Sequence, residues 1–309
     1  MKATLPKRRL LFGFYFKPKI YMEKILEKVV FEYLKKTIEK ALKLAKRNEG
    51  KRILRATPKR PEDVEIEIDK VGEEILKEIL QKNNLKVEVF SETKEGNIEC
   101  KNPDFFGALD PFDGSMLFLQ GIEHFWYTAL SFYGKDLNPI ICGVGDILNK
   151  KIYLSLKEGN FVYDLETKEK KRIFPSLKES LKEKITIASY IMSSEYSKKF
   201  LEIFGDLITN LPPRCIFYPS GGSYIYAYLA AGIVDAYIMF NEPRSEIDPG
   251  FPIAKKAGCM IVEVKNNGKI EEYKFIPRSQ EKKVDLLIAT STKKLLEEIV
   301  DYYFQKTKI

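Results

Sequence analysis

One histidine, one tryptophan and four cysteines among 309 residues leave several kinds of chemistry without material. His124 is the sole imidazole, which makes a serine–histidine relay a poor fit. It follows Gly121-Ile122-Glu123, a helix-to-strand loop, where a surface or packing role is the expectation. The cysteines, Cys100, Cys142, Cys215 and Cys259, contain no C-x-x-C pair, which disfavours a zinc site or a disulfide framework. Cys142 within Ile140-Ile141-Cys142-Gly143-Val144 and Cys259 before Met260-Ile261-Val262 read as core positions instead. No apolar stretch reaches the ~18–20 residues that span a bilayer. The apolar run at 10–16 ends at Lys17-Pro18-Lys19 and lacks the small-residue cleavage site of a secretory signal. A cytoplasmic protein with no membrane partner is the expectation.

What is present is the composition of a folded chain, 44% hydrophobic, long enough for one large core or two halves of a shared one. The formal net charge is +8, but the lysines stand beside glutamates, as in Glu23-Lys24, Glu27-Lys28 and Glu39-Lys40. That interleaving marks a solvated helical face with i,i+4 pairs. No finger, zipper or aromatic RNA-binding motif accompanies it, so nucleic acid is not the expected partner. Abundant Lys, Glu and Ile beside little Gln resembles the composition of thermophile proteins.

Helical periodicity starts at Met22, where Ile25, Leu26, Val29, Val30, Tyr33 and Leu34 mark one face, and stops near Asn48-Glu49-Gly50. Residues 1–21 carry Pro6 and Pro18, match nothing that follows, and are expected to lie outside the catalytic fold, with Met22 as an alternative start. A polar loop over 56–63 precedes a helix over 70–82 and a strand ending at Glu92. Further strands are expected over 125–132, 139–147 and 152–156, the last two joined by a turn at 148–151. The charged, proline-broken stretch 164–184 is the best internal boundary. It divides an N-terminal half (22–180), rich in antiparallel strands, from a C-terminal half (181–309). There, strands over 185–188, 234–240, 260–264 and 286–289 alternate with helices over 197–204, 223–231, after Asp248 and from Thr292.

The most informative residues are Asp110-Pro111-Phe112-Asp113-Gly114-Ser115. Two carboxylates stand three apart, held by a proline that fixes φ and followed by a glycine and a hydroxyl residue. The apolar run Phe105-Phe106-Gly107-Ala108-Leu109 reads as a buried strand delivering Asp110 to a sheet edge. Gly114-Ser115 then opens a helix at Met116-Leu117-Phe118-Leu119. A strand end with two acids, beside the free N–H groups of a helix start, can hold hard cations and a phosphate together.

This run resembles the D-P-x-D-G-[ST] signature of the inositol monophosphatase family, within the superfamily of Mg²⁺-dependent, lithium-sensitive phosphatases that includes fructose-1,6-bisphosphatase. Val89-Phe90-Ser91-Glu92 resembles the strand bearing the family's metal-bridging glutamate. Val64-Glu65-Ile66-Glu67-Ile68-Asp69 resembles its acidic strand-to-helix entry. Gly222-Ser223 and Leu229-Ala230-Ala231-Gly232-Ile233-Val234-Asp235-Ala236-Tyr237 resemble its G-S helix and A-x-G-x-x-D-A-Y strand. Ile247-Asp248-Pro249-Gly250, through Gly258, resembles its W-D-x-A-[AG] helix. The likeness runs from about Met22 to the C-terminus.

The resemblance implies an α/β fold layered as an α-β-α-β-α sandwich, a homodimer, and two or three Mg²⁺ ions. Glu92, Asp110, Asp113 and Asp248 would supply carboxylate oxygens, the Phe112 carbonyl another, and Asp69 a third, weaker position. Ser115 with Glu92 would orient the nucleophilic water, and Gly114, Ser115, Met116, Gly222 and Ser223 would meet the phosphate. Helix capping is the rival role for Asp69, Ser115 and Asp248. Thr93, Leu117, Ile247 and the segment Tyr218-Pro219-Ser220-Gly221 depart from the family's pattern around the leaving group. Arg244, four residues before Asp248, is the better candidate for a second phosphate, and Lys255 reads equally well as a solvent-facing cation. The function implied is a Mg²⁺-dependent phosphomonoesterase acting on a small polyol or sugar phosphate, such as inositol-1-phosphate or fructose-1,6-bisphosphate. The alternatives are a nucleotide 3′-phosphatase of the same superfamily and a non-catalytic RNA- or transcription-associated regulator.

Overall fold

Helix α1 (Phe16–Lys46) buries Leu26, Val29, Val30, Tyr33, Leu34, Ile38 and Ala41 along one stripe, the face that its 3.6-residue periodicity marks. The structure, a computed structural model, describes residues 16–56, 64–92, 95–212 and 215–308. The helix starts six residues before Met22, because Pro18 falls in the first turn, where its missing N–H has no intrahelical acceptor to lose. Residues 1–15 and most of the polar loop at 56–63 lie outside the described residues. Strands β1 (Ile53–Ala56) and β2 (Val64–Ile66) pair antiparallel and lead into α2 (Glu67–Lys82).

Next comes a seven-stranded sheet in chain order, with β3 (Val87–Phe90), β4 (Phe105–Asp113), β5 (Tyr127–Tyr133), β6 (Pro139–Asp146), β7 (Lys151–Leu156), β8 (Gly159–Asp164) and β9 (Lys170–Arg172). Only β3 and β4 run parallel. Short helix α3 (Ser115–Gln120) interrupts it. Strand β9, exposed along its length and entirely basic, closes the sheet edge inside the stretch read as a boundary. Lysine on an edge strand blocks pairing with other chains, and it also hides the strand from apolar pattern searches.

The second sheet has six strands and mixed direction. Its members are β10 (Thr186–Ala188), β11 (Ile216–Tyr218), β12 (Ala236–Phe240), β13 (Met260–Val264), β14 (Ile270–Glu272) and β15 (Leu286–Thr290), ordered β11-β10-β12-β15-β13-β14. Its helices are α4 (Ser194–Thr209), α5 (Ile225–Ala230), α6 (Arg244–Ile247), α7 (Phe251–Ala257) and α8 (Lys293–Thr307). Helices α1 and α2 cover one face of the first sheet, α5 and α7 fill the space between sheets, and α4 and α8 cover the outer face of the second. The result is a five-layer α-β-α-β-α sandwich with three hydrophobic cores. The middle core is unusually aromatic: Tyr133 stacks on Phe275 with centroids 3.9 Å apart, and Tyr127 on Tyr224 at 4.0 Å. The Tyr133 and Ser131 hydroxyls donate to the carbonyls of Asp248 and Pro249, which ties the loop before α7 to the first sheet.

Candidate functional site

Strand β4 ends in the acidic segment, and an irregularity in its pairing decides where the acids point. Asp110 pairs with Ala129 but Asp113 pairs with Tyr127, so three steps along β4 match two along β5. Side chains three apart on a regular strand face opposite sides, whereas the extra residue of a bulge brings both carboxylates to one side. Gly114 then turns the chain into α3 with φ of 103°. A Cβ there would stand 2.1 Å from the Phe125 carbonyl oxygen, so only glycine fits.

A third acid joins them from the other half of the chain. Carboxylate oxygens of Asp110, Asp113 and Glu246 lie within 4.8 Å of one another, in a cavity of about 500 Å³ that Glu92 also lines. Burial, followed by the charges of Asp113, Glu246 and Glu92, pushes the Asp110 carboxyl well above the usual carboxylate range, while the Ser223 hydroxyl opposes the shift. Asp110 Oδ1 has no hydrogen-bond partner among the described residues. Carboxylates this close repel one another unless a cation sits among them, and an all-oxygen donor set suits a hard ion such as Mg²⁺.

Asp69 and Ser115 combine both roles that the sequence allows them. One Asp69 oxygen accepts the Ile66 N–H at 2.7 Å, capping α2. The other lies 2.9 Å from Ser115 Oγ, which is also 2.8 Å from the Phe112 carbonyl oxygen. Ser115, Met116 and Leu117 line the cavity with Gly114. Gly222 and Ser223 stand behind it as supports. A Cβ on Gly222 would fall 2.4 Å from Asp113 Oδ2, and Ser223 Oγ donates to the Glu246 carbonyl at 2.9 Å.

Two residues singled out from the sequence go elsewhere. Asp248 is fully buried, accepts the Tyr273 hydroxyl at 2.7 Å and lies 3.8 Å from an Arg244 nitrogen. Burial raises its carboxyl to about 7 against the opposing pull of Arg244 and Tyr273. Arg244 is only 6% exposed. Its NH1 donates to the Lys274 carbonyl at 2.8 Å and to Tyr273 at 3.1 Å, and its guanidinium covers the Tyr273 ring. Neither residue lines the cavity, so the structure gives Arg244 no free face for a second phosphate. Lys255 pairs with Glu272 at 2.9 Å. Thr93 lies outside the described residues.

Glu246, rather than Asp248, faces the acids of β4 across the cavity. The two are separated by about 200° around a helical turn, so the backbone that aims one at the cavity aims the other away. The signal available in the sequence was only that an acid stood two residues upstream, on the same short helical segment.

A model of the inositol monophosphatase family matches residues 22–303. Among curated proteins, the Nus factor SuhB of Pasteurella multocida is 23% identical over 227 residues, covering 71% of this chain and 79% of that protein. Among solved structures, the extragenic suppressor protein suhB of Bartonella henselae superposes with a TM-score of 0.70 at 16% identity, covering 91% of this chain and 98% of the other. A solved inositol monophosphatase–fructose 1,6 bisphosphatase gives a TM-score of 0.65 at 22% identity, with 91% and 98% covered.

Proposed function

Because the chain belongs to the inositol monophosphatase family, we propose that it is a Mg²⁺-dependent phosphomonoesterase whose reacting phosphate sits beside Asp110, Asp113 and Glu246. The observation that carries this reading is the meeting of those three carboxylates next to the Ser115–Asp69 hydrogen bond. Glu92, Asp110, Asp113, Glu246 and the Phe112 carbonyl are the groups that would hold the metal. A divalent ion there supplies charge neutralisation for the phosphate and a lowered pKa for water. Ser115 can accept a hydrogen bond from the attacking water while its own proton stays directed at Asp69, which fixes the water's lone pair toward phosphorus. Water oxygen then bonds to phosphorus as its proton passes by way of Ser115 to Asp69, the ester P–O bond breaks, and the leaving oxygen takes a proton from solvent, so that alcohol and inorganic phosphate leave without a phosphoenzyme.

Inositol-1-phosphate and fructose-1,6-bisphosphate are the polyol and sugar phosphates to try first, with phosphoadenosine phosphate for the nucleotide alternative. Phosphate release with Mg²⁺ and its loss with EDTA is the expected result. No release from any of them in Mg²⁺ would refute the reading. A non-catalytic, transcription-associated role is the second reading, favoured by the name Nus factor that matched relatives carry. It requires the purified chain to be inactive on all three esters.

A further inference from the structure

The cavity that holds the three carboxylates has a second wall of different chemistry. Met116, Leu117, Phe125, Tyr190 and Met192 line it beside Gln120, Ser193 and Ser220, so aromatic and thioether groups are interleaved with a few neutral polar ones. Phe125 is fixed from behind: its ring stacks on Tyr224 at 6.0 Å and meets Tyr218 edge-on at 5.5 Å. Tyr224 is held in turn by Tyr127, and its hydroxyl donates to Ser220 Oγ at 2.8 Å. On the opposite chain segment Tyr190 meets Tyr196 edge-on at 5.7 Å, while Met192 is largely exposed. Besides Ser115, the neutral polar side chains in the lining are Gln120, Ser193 and Ser220, with the Tyr190 hydroxyl; Ser220 is engaged by Tyr224, and the Ser193 hydroxyl has no hydrogen-bond partner among the described residues.

A polyol leaving group fits such a wall poorly. Each of its hydroxyls needs a partner when taken from water, and a phenyl ring, a thioether or a leucine offers none. A flat apolar ring gains from the same wall, since aromatic faces and methionine sulfur both favour ring contacts. One or two ring heteroatoms could be met by Ser193.

We infer that the ester cleaved here carries a flat, apolar ring on its alcohol side, seated against Phe125, Tyr190 and Met192. This rests on the phosphomonoesterase reading and replaces the polyol with a ring-bearing alcohol. The ring is either a simple aryl group or a nucleobase, and the substrates below separate the two.

The test compares kcat/KM of the full chain in Mg²⁺ on 2-phenylethyl phosphate, adenosine 5′-monophosphate and inositol-1-phosphate. All three lose an alkoxide, so differences among them report the leaving-group pocket rather than bond reactivity. At least one ring-bearing ester should exceed inositol-1-phosphate by tenfold or more. Adenosine monophosphate ahead of phenylethyl phosphate assigns the ring to a nucleobase, and the reverse order assigns it to an aryl group. Tyr190→Ala and Met192→Ala should each shrink that ratio at least threefold, mainly through KM, and Tyr190→Phe should restore it. Inositol-1-phosphate cleaved as well as both ring esters, or a ratio unchanged in both alanine variants, overturns the inference and leaves the phosphatase standing. Silence on all three esters overturns this inference, and silence on fructose-1,6-bisphosphate and phosphoadenosine phosphate as well overturns the phosphatase reading.

Discussion

Glu246 and Asp248 are two acids, two residues apart, both nearly devoid of solvent, with opposite surroundings. Glu246 faces two other carboxylates across a cavity. Asp248 faces a phenol and a guanidinium inside a closed aromatic core. A buried carboxylate needs either protein partners or a metal. Asp248 has Arg244 at 3.8 Å, whereas Asp110 has the like charges of Asp113, Glu246 and Glu92 as its electrostatic neighbours. The difference teaches that the environment, rather than the Asp–Pro sequence or the order of acids along the chain, separates a ligand from a structural charge.

The sharpest way to break this comparison is to neutralise each acid in turn. Glu246→Gln should lower kcat/KM more than about a hundredfold, beyond what loss of a supporting residue around a metal costs. Its melting temperature in EDTA should change less than its activity does, since glutamine keeps the shape of the side chain. Saturating Mg²⁺ should stabilise the wild type, by about 2.7 kcal/mol at a hundred times its Kd, and this gain should shrink in Glu246→Gln. Unimpaired turnover together with an intact Mg²⁺ gain would return the ligand role to Asp248.

Ser115→Ala comes next, with kcat reduced by about 10²–10⁴-fold, the usual worth of a positioned proton-handling group. Ser115→Thr should keep most of the rate, since the hydroxyl that meets Asp69 remains. If the alanine and threonine variants fall equally, Ser115 serves the fold of the Gly114 turn and not the water.

Asp248→Ala should show the reverse profile. Leaving Arg244 buried without its counter-charge costs about 3–5 kcal/mol, a melting-temperature loss of roughly 5–8 °C in a chain of this size. The Mg²⁺ gain should survive in the folded fraction. Asp248→Asn removes the same charge but can still accept from Tyr273, so it should lose somewhat less than the alanine variant. A collapse of metal stabilisation in Asp248→Asn with an unchanged melting temperature would erase the distinction between the two acids.

Much of this site was legible in the sequence because its parts are local. Asp110-Pro111-Phe112-Asp113-Gly114-Ser115 brings strand end, turn glycine and helix start within six residues, and Asp69 sits at the start of its own helix. What was not legible depends on partners far along the chain. Tyr273 and Lys274, which draw Arg244 and Asp248 inward, lie about thirty residues away, and only the pairing of β13 with β14 and the packing of α7 bring them near. The bulge that turns Asp113 beside Asp110 is likewise a property of pairing with β5 and leaves no residue signature of its own. Strands β9 and β14 escaped notice because their residues are mostly charged, as edge strands often are.

The smallest expected effect comes from the segment ahead of the family match. Residues 16–21 form the first turns of α1, ahead of the buried stripe that begins at Leu26, and the family match begins at residue 22. Removing 1–21 takes away the first turns of α1, ahead of the buried stripe. A chain covering 22–309 should therefore keep the wild-type kcat/KM and the same Mg²⁺-dependent gain in melting temperature. Its melting temperature in EDTA should fall by less than ~5 °C, a limit that for a chain of this length corresponds to about 3 kcal/mol. A larger fall with unchanged activity would place residues 1–21 in the fold on the Asp248 side of the comparison, as structure. A loss of activity at unchanged stability would place them with Glu246, at the cavity.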